Sequence, residues 1–241
     1  MVSLLRAGGR EHVCTGVLVG PRHVVTPGHC VDPHSPYSAG KLPIVAIGGT
    51  GSDGEEAGSE VLVASNSVIH PEWESSKKDQ RSPYNVAILT LPRPSQAAHP
   101  HMLFDHFNLR SGQKIVALGW GSGPGGPQLG QEIFGSLKME AHEFIEGQHC
   151  NRSTLWNGEL QEGTCCGLNN DRSASCMVDS GSPLVLLDSP GYDIMTGTPS
   201  LDFVTALNTD GAPCGMAAKP DIFVPFSHHR QWIVEVMGLA D

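Results

Sequence analysis

Short apolar, β-branched runs recur along the chain. They are Gly16-Val17-Leu18-Val19, His23-Val24-Val25-Thr26, Pro43-Ile44-Val45-Ala46-Ile47, Val61-Leu62-Val63 and Val86-Ala87-Ile88-Leu89, followed by Ile115-Val116-Ala117-Leu118, Leu184-Val185-Leu186-Leu187 and Phe203-Val204-Thr205-Ala206-Leu207. Each is too short for a helix and is bounded by Gly, Pro, Asn or Asp, so each reads as a strand. Many short strands with turns between them suit a sandwich or a barrel. Only Ser227 to Met237 has helical spacing, with Ser227 as the cap and Trp232, Ile233, Val236 and Met237 on one face. Gly48 to Gly58 reads as an acidic loop and Gly121 to Gly130 as a Gly/Pro loop; no internal repeat or low-complexity tract interrupts the pattern.

Composition narrows the picture. A chain of 241 residues with 29 Gly and 18 Pro fits one large all-β domain or two small ones, because both residues disfavour helix interiors. Hydrophobic content of 39% supplies a core, and only 17% charged residues argues against long solvated helices or a disordered tail. The balance of 25 acids against 15 bases, a formal charge of −10, excludes the clustered cations that nucleic acid requires. Twelve histidines make that charge sensitive to mild acid. No apolar run is long enough to span a membrane, and Met1 to Arg6 does not form a signal peptide. The seven cysteines show no zinc spacing and read as disulfides of an oxidising compartment. Secretion and the missing leader are reconciled if the natural start lies upstream of Met1.

Several local patterns have plainer explanations than chemistry. Gly121-x-Gly123-x-x-Gly126 has the form of a dinucleotide fingerprint, but Pro124 and Pro127 interrupt it and no helix follows, so it reads as a turn. His99, His101, Asp105, His106 and His142 read as surface residues of a polar loop rather than metal ligands. Asp53, Glu55 and Glu56 read as a solvated acidic turn rather than a calcium loop. No cofactor and no metal are expected.

Three segments far apart in sequence do carry chemistry: Val17 to Cys30, ending Gly28-His29-Cys30; Tyr84-Asn85-Val86-Ala87-Ile88-Leu89-Thr90-Leu91; and Cys176-Met177-Val178-Asp179-Ser180-Gly181-Ser182-Pro183-Leu184-Val185. A His after one strand and a Ser in a tight Asp-Ser-Gly turn before another match a base and its nucleophile. His29-Cys30 resembles the Ala-Ala-His-Cys segment of the trypsin/chymotrypsin serine proteases, and Val178 to Val185 is similar to their Gly-Asp-Ser-Gly-Gly-Pro-Leu-Val. Gly119-Trp120-Gly121 resembles their Gly-Trp-Gly, and Pro220 to Ile233 their last strand and closing helix. The resemblance runs from Met1 to about Met237. It implies a single domain over residues 1–241 built as two six-stranded antiparallel β-barrels, with the site in the cleft between them and a C-terminal helix. It implies disulfides Cys14–Cys30, Cys150–Cys165 and Cys176–Cys214, with Cys166 left over as a small buried hydrophobe.

The resemblance also assigns roles: His29 as base, Ser180 as nucleophile, and the backbone N–H groups of Val178 and Ser180 as the oxyanion hole. Ala174 and Ser175, the strand Thr209-Asp210-Gly211, and Asp221 form the substrate pocket. Four departures stand out. The carboxylate that orients the base is Asn85, a change that costs roughly 10⁴ in rate in a triad. Asp79 lies in the loop upstream and is not expected to replace it. A β-branched Val178 stands at the oxyanion-hole glycine, and Asp210 stands where the family packs a Trp. The activation strand is missing, which leaves Asp179 without the terminal amine that it pairs with in active relatives. At the pocket base, Ala174 suits a small or apolar side chain, whereas Asp221 on the wall suits Lys or Arg. The expected function is endopeptidase chemistry on a protein or peptide substrate, weak because of Asn85. The alternative is an inactive homologue that binds a target protein, as glucanase-inhibitor proteins of this family do. A secreted monomer is expected, with Asn151-Arg152-Ser153 as a glycosylation sequon.

Overall fold

The computed structural model describes residues 1–6, 8, 11–73, 79–104, 109–121, 135–189 and 197–239. The N-terminal half contributes strands β1 (Val2–Leu5), β2 (His12–Gly20), β3 (His23–Thr26), β4 (Ile44–Ile47), β5 (Glu60–Val63), β6 (Asn66–Ile69) and β7 (Ala87–Thr90). They form a seven-stranded sheet in the order β5-β4-β1-β2-β3-β7-β6. Its two outer strands, β5 and β6, are consecutive in the chain and separated only by Ala64 and Ser65, so the sheet curls until its edges share one bent run. The C-terminal half contributes β8 (His101–Met102), β9 (Lys114–Gly119), β10 (Lys138–Glu146), β11 (Cys165–Asn169), β12 (Pro183–Leu186), β13 (Phe203–Asp210) and β14 (Asp221–Pro225). Here β12 pairs with both β9 and β13, which closes a six-stranded barrel with β8 added in parallel to β13. The architecture is the expected pair of antiparallel barrel-like sheets.

Alternation along each strand sends apolar side chains inward. Val2, Leu4, Leu18, Val24, Val45, Ile47 and Leu89 fill the first barrel; Ile115, Ala117, Phe144, Leu184, Ala206 and Phe223 fill the second. A third cluster joins the two: Val17, Val25 and Ile88 meet Val185, Val204 and Leu207. Helix α1 (Arg230–Met237) adds Ile233 and Met237 to that seam, with Trp232 and Val236 partly buried against it. Fully burying one such side chain contributes about 1.5–3 kcal/mol, so the helix helps hold the barrels in register. Ser227 does not cap it. Phe226–His229 forms a 3-10 turn instead, and the helix starts at Arg230 with His229 in the cap position and no side-chain cap bond. Among the described residues no helix is long and apolar enough to cross a membrane.

The disulfides are Cys14–Cys30, Cys150–Cys166 and Cys176–Cys214. The expected Cys150–Cys165 pair is not formed, and Cys165, not Cys166, is the free thiol. The reason is strand geometry. Neighbouring side chains of β11 point to opposite faces. Cys166 faces Cys150, Trp156, Leu160 and Ile222, while Cys165 faces the barrel core with Phe144 and Phe223. Burial pushes the Cys165 thiol pKa up.

His142 is not a surface loop residue; it lies in β10 and is fully buried. Asp105, His106 and the Gly123 to Gly126 part of the glycine-rich pattern lie outside the described residues. In the acidic turn, the exposed Glu56 carboxylate accepts the Thr50 and Gly51 N–H groups and the Thr50 hydroxyl.

Candidate active site

His29 sits in a 3-10 turn, Gly28–Cys30, directly after β3, and the Cys14–Cys30 bond ties that turn to β2. Asn85 stands two residues before β7, and Ser180 lies in the turn before β12. Gly181 in that turn has φ +95°, and a Cβ there would run into the Thr15 carbonyl, so only glycine allows the close approach. Thr15 N–H donates to the Ser180 carbonyl at 2.7 Å, and Gly181 N–H donates to the Asn208 carbonyl at 2.8 Å. The nucleophile turn of the second half is thus bolted onto β2 of the first. The fold brings His29, Asn85 and Ser180 together, with His29 Nε2 3.1 Å from Ser180 Oγ.

The Asn85 amide is held in one orientation. Its Oδ1 accepts the His29 backbone N–H at 3.0 Å, and its Nδ2 donates to the Gln80 carbonyl at 2.8 Å. That orientation places Nδ2 2.9 Å from His29 Nδ1. Oδ1 is 3.2 Å from the same nitrogen, but it is the farther atom and already takes the backbone donor. An amide N–H aimed at Nδ1 makes that nitrogen an acceptor, which puts the ring proton on Nε2, the nitrogen facing Ser180. Burial lowers the His29 pKa to about 4, so the ring is neutral at neutral pH. Asp79 does not take the place of the carboxylate: its oxygens accept the Arg81 N–H and the Gln161 amide.

Asp179 is held by side chains from the first half of the chain. Its carboxylate accepts Thr15 Oγ1 at 2.6 Å and His12 Nε2 at 2.7 Å, and it takes the Ser182 hydroxyl as well. His12 Nδ1 lies 2.7 Å from Ser3 Oγ, whose own hydrogen goes to the Ser52 carbonyl. Ser3 Oγ therefore accepts from His12 Nδ1, the carboxylate accepts from Nε2, and the ring donates on both sides as an imidazolium. No local sequence signal marks His12; its role comes from a contact across 167 residues.

Val178 N–H donates to Ser175 Oγ at 3.3 Å, an oxygen that also takes Met177 N–H, and the Val178 side chain packs on the second core. The cleft beside Ser180 has a volume of about 420 Å³ and is lined by Ser175, Val178, Asp210, Gly211 and Asp221 among others. Ala174 is buried and does not line it, and Thr209 is buried in β13. Asp221, at the start of β14, is 4% exposed, accepts the Ser175 N–H at 3.0 Å, and has its pKa raised by burial. Arg81 reaches over from the first half: its guanidinium meets Asp210 at 2.7 Å and Glu159 at 2.9 Å and stacks 4.6 Å from the Trp156 ring centre. Among the described residues the one tight group of metal-capable atoms is Cys14, His29 and Cys30, and two of those sulfurs are spent in a disulfide.

A family model described as Trypsin matches residues 1–233. The chain belongs to the trypsin family. Rat kallikrein-8 is 27% identical over 97% of this chain and 80% of its own length. Mouse transmembrane protease serine 11G is 28% identical over 92% of this chain, which spans about half (49%) of that relative. The solved structure of neuropsin, a serine protease expressed in the limbic system of mouse brain, superposes with a TM-score of 0.74 at 21% identity, covering 98% of this chain and 93% of that one, which supports the fold. Within this trypsin-family framework, sequence reasoning found His29, Asn85 and Ser180 but missed His12, Gln80, Arg81, Glu140 and His142. Gln80 acts through its backbone carbonyl and the others through side-chain contacts that reach other segments, and no motif surrounds them.

Proposed function

We propose that this trypsin-family chain is a serine-type endopeptidase whose acyl transfer, with Ser180 as nucleophile and His29 as base, is strongly impaired. The carrying observation is the fixed Asn85 amide, which favours the ring proton on the nitrogen that ought to receive the Ser180 proton. An uncharged amide also leaves the developing imidazolium unstabilised. The expected loss is about 10⁴ in rate, or about 5 kcal/mol of transition-state stabilisation.

A second reading, an inactive homologue that works by binding a target protein, has its own support. The Val178 N–H is engaged by Ser175 Oγ instead of pointing at a substrate oxygen, and Arg81 crosses the cleft to Asp210. In either reading Asp221 is the carboxylate that would favour a basic side chain in the cleft, and the three disulfides suit a secreted protein. The test compares the unmodified chain with Asn85→Asp, Val178→Gly and both together, using a fluorogenic peptide and an active-site serine reagent. The expected result is a gain of about 10³–10⁴ in the double variant and little in either single one, abolished by Ser180→Ala. Cleavage by the unmodified chain at rates ordinary for the family, stopped by Ser180→Ala, would overturn the impaired reading.

A further inference from the structure

The floor of the cleft holds a charge arrangement that neither the triad nor the oxyanion hole uses. His142, on β10, is fully buried. Its Nδ1 lies 3.2 Å from the Glu140 carbonyl, which can only accept, so Nδ1 carries a proton. Its Nε2 lies 3.6 Å from Glu140 Oε2 and 3.8 Å from Asp221 Oδ2, and it has no hydrogen-bond partner among the described residues. A bare Nε2 lone pair facing two carboxylates in a buried site is unfavourable, whereas an N–H⁺ there is attracted to both.

Among the described residues His142 forms no other ion pair. Facing His142 across the sheet are Ile115 of β9 and Asn169 of β11, both neutral, and Gly167 of β11 leaves room for the ring. The acids come from its own strand (Glu140) and from β14 (Asp221). Ser175 links them: its hydroxyl donates to Glu140 Oε2 at 2.6 Å and its N–H to Asp221 Oδ2 at 3.0 Å. Asp221 Oδ1 faces Gly211 so closely that a Cβ built there would sit 2.7 Å away, so glycine at 211 keeps this carboxylate facing the cleft wall.

We propose that His142 is the internal counter-cation of Asp221 and so a specificity-determining residue for cationic side chains in the cleft. The inference rests on Asp221 as the acid of the cleft. A ligand amidinium, guanidinium or ammonium that reaches Asp221 competes with the imidazolium behind it. Binding drives the Nε2 proton from His142 to solvent while the ligand's charge takes its place, so the charge of the floor is conserved. Affinity for a cation therefore rises with pH, and one proton is released per ligand bound.

Benzamidine is the probe and benzamide its neutral control, with binding measured by calorimetry on the full chain from about pH 5.5 to 8, the range in which imidazoles change charge. Buffers of different ionisation enthalpy give the proton count. The expected result is benzamidine binding that strengthens about tenfold per pH unit in the part of the range where close to one proton is released, no such slope for benzamide, and a flat profile in His142→Gln. A flat wild-type profile, or an unchanged slope in His142→Gln, overturns the proposal; the wild-type proton count decides it even if that variant does not fold. Absence of benzamidine binding at every pH also overturns the specificity claim. Nitrogen NMR of the His142 ring then tells which part failed. Two protonated nitrogens that become one in Asp221→Asn leave the pair standing and the ligand reading of Asp221 at fault. A ring indifferent to Asp221→Asn shows that the pair itself is absent.

Discussion

Ser3–His12–Asp179 and Ser180–His29–Asn85 are two chains, each built around a buried imidazole with a hydroxyl on one side, that differ in the group on the other. In the first, a hydroxyl lies 2.7 Å from one ring nitrogen and a carboxylate 2.7 Å from the other. In the second, a hydroxyl lies 3.1 Å from one nitrogen and an amide nitrogen 2.9 Å from the other. The change from carboxylate to amide reverses what the ring can be. His12 donates on both sides and carries charge; His29 accepts from the amide, and burial holds its pKa to about 4. The buried His12–Asp179 pair holds the shape of the loop before Ser180. It does not prepare a base for Ser180, although the same groups in the other order would.

The sharpest break in that comparison is removal of one partner of the His12 pair. His12→Ala leaves a poorly solvated carboxylate at Asp179, whose side chain is 11% exposed. Removing one member of a buried pair costs about 3–5 kcal/mol. Asn85→Ala loses neutral hydrogen bonds, each worth about 0.5–1.5 kcal/mol net, and should cost less. Chemical denaturation of the two variants checks this; equal losses would mean that the charge in the first chain contributes nothing.

How much of this was legible in the sequence follows from the range of each interaction. Strands such as Val24-Val25 and Ile88-Leu89 are local patterns of β-branched and apolar residues, and they fold where the pattern puts them. Strand β10, Lys-Met-Glu-Ala-His-Glu-Phe-Ile-Glu, carries polar groups on both faces and becomes a strand because β9 and β11 pair with it on either side. Asn85 and Ser180 were legible through resemblance, since Asp-Ser-Gly needs a left-handed Gly181. The choice between Cys165 and Cys166 was not. It depends on which face of β11 each residue occupies, and a shift of one residue in register reverses the answer. His12, Arg81 and His142 were illegible for a related reason: their partners lie in other segments, and a lone His or Arg carries no information about them.

Acid should act next, on the buried neutral rings. His29 and His229 both have their pKa lowered to about 4 by burial. The unfolded chain protonates these rings near pH 6.5 and the folded chain does not, so the unfolded state binds more protons between those values. Stability is therefore complete above about pH 6.5 and falls as pH drops toward about 4, by on the order of 2–3 kcal/mol per ring. Asn85→Asp should reduce that loss, because a carboxylate beside Nδ1 favours the charged ring. Urea midpoints taken from pH 7 to pH 4 test the slope. A slope unchanged in both Asn85→Asp and His229→Gln would assign the acid sensitivity to other groups.

The smallest expected effect concerns the strap that holds the Asn85 end alone. Gln80, which fixes the Asn85 amide through its carbonyl, is next to Arg81, whose guanidinium binds Asp210 and Glu159 across the cleft. Arg81→Met keeps an apolar stem over Trp156 and removes the ion pairs. The Arg81 side chain is 32% exposed and Glu159 is 52% exposed, so solvent screens both pairs, each worth about 0–1 kcal/mol. Loss of the stacked cation removes about 0.5–1 kcal/mol more. The net cost should be about 1 kcal/mol, well below that of His12→Ala. Function should respond more than stability: with Asp210 released and the 79–85 loop untied, a serine reagent should label Ser180 severalfold faster. The His12 ring is held by Ser3 and Asp179, so its N–H resonances should not move. A loss of stability as large as that of His12→Ala, or a shift in those resonances, would show that the two imidazole chains form one coupled network.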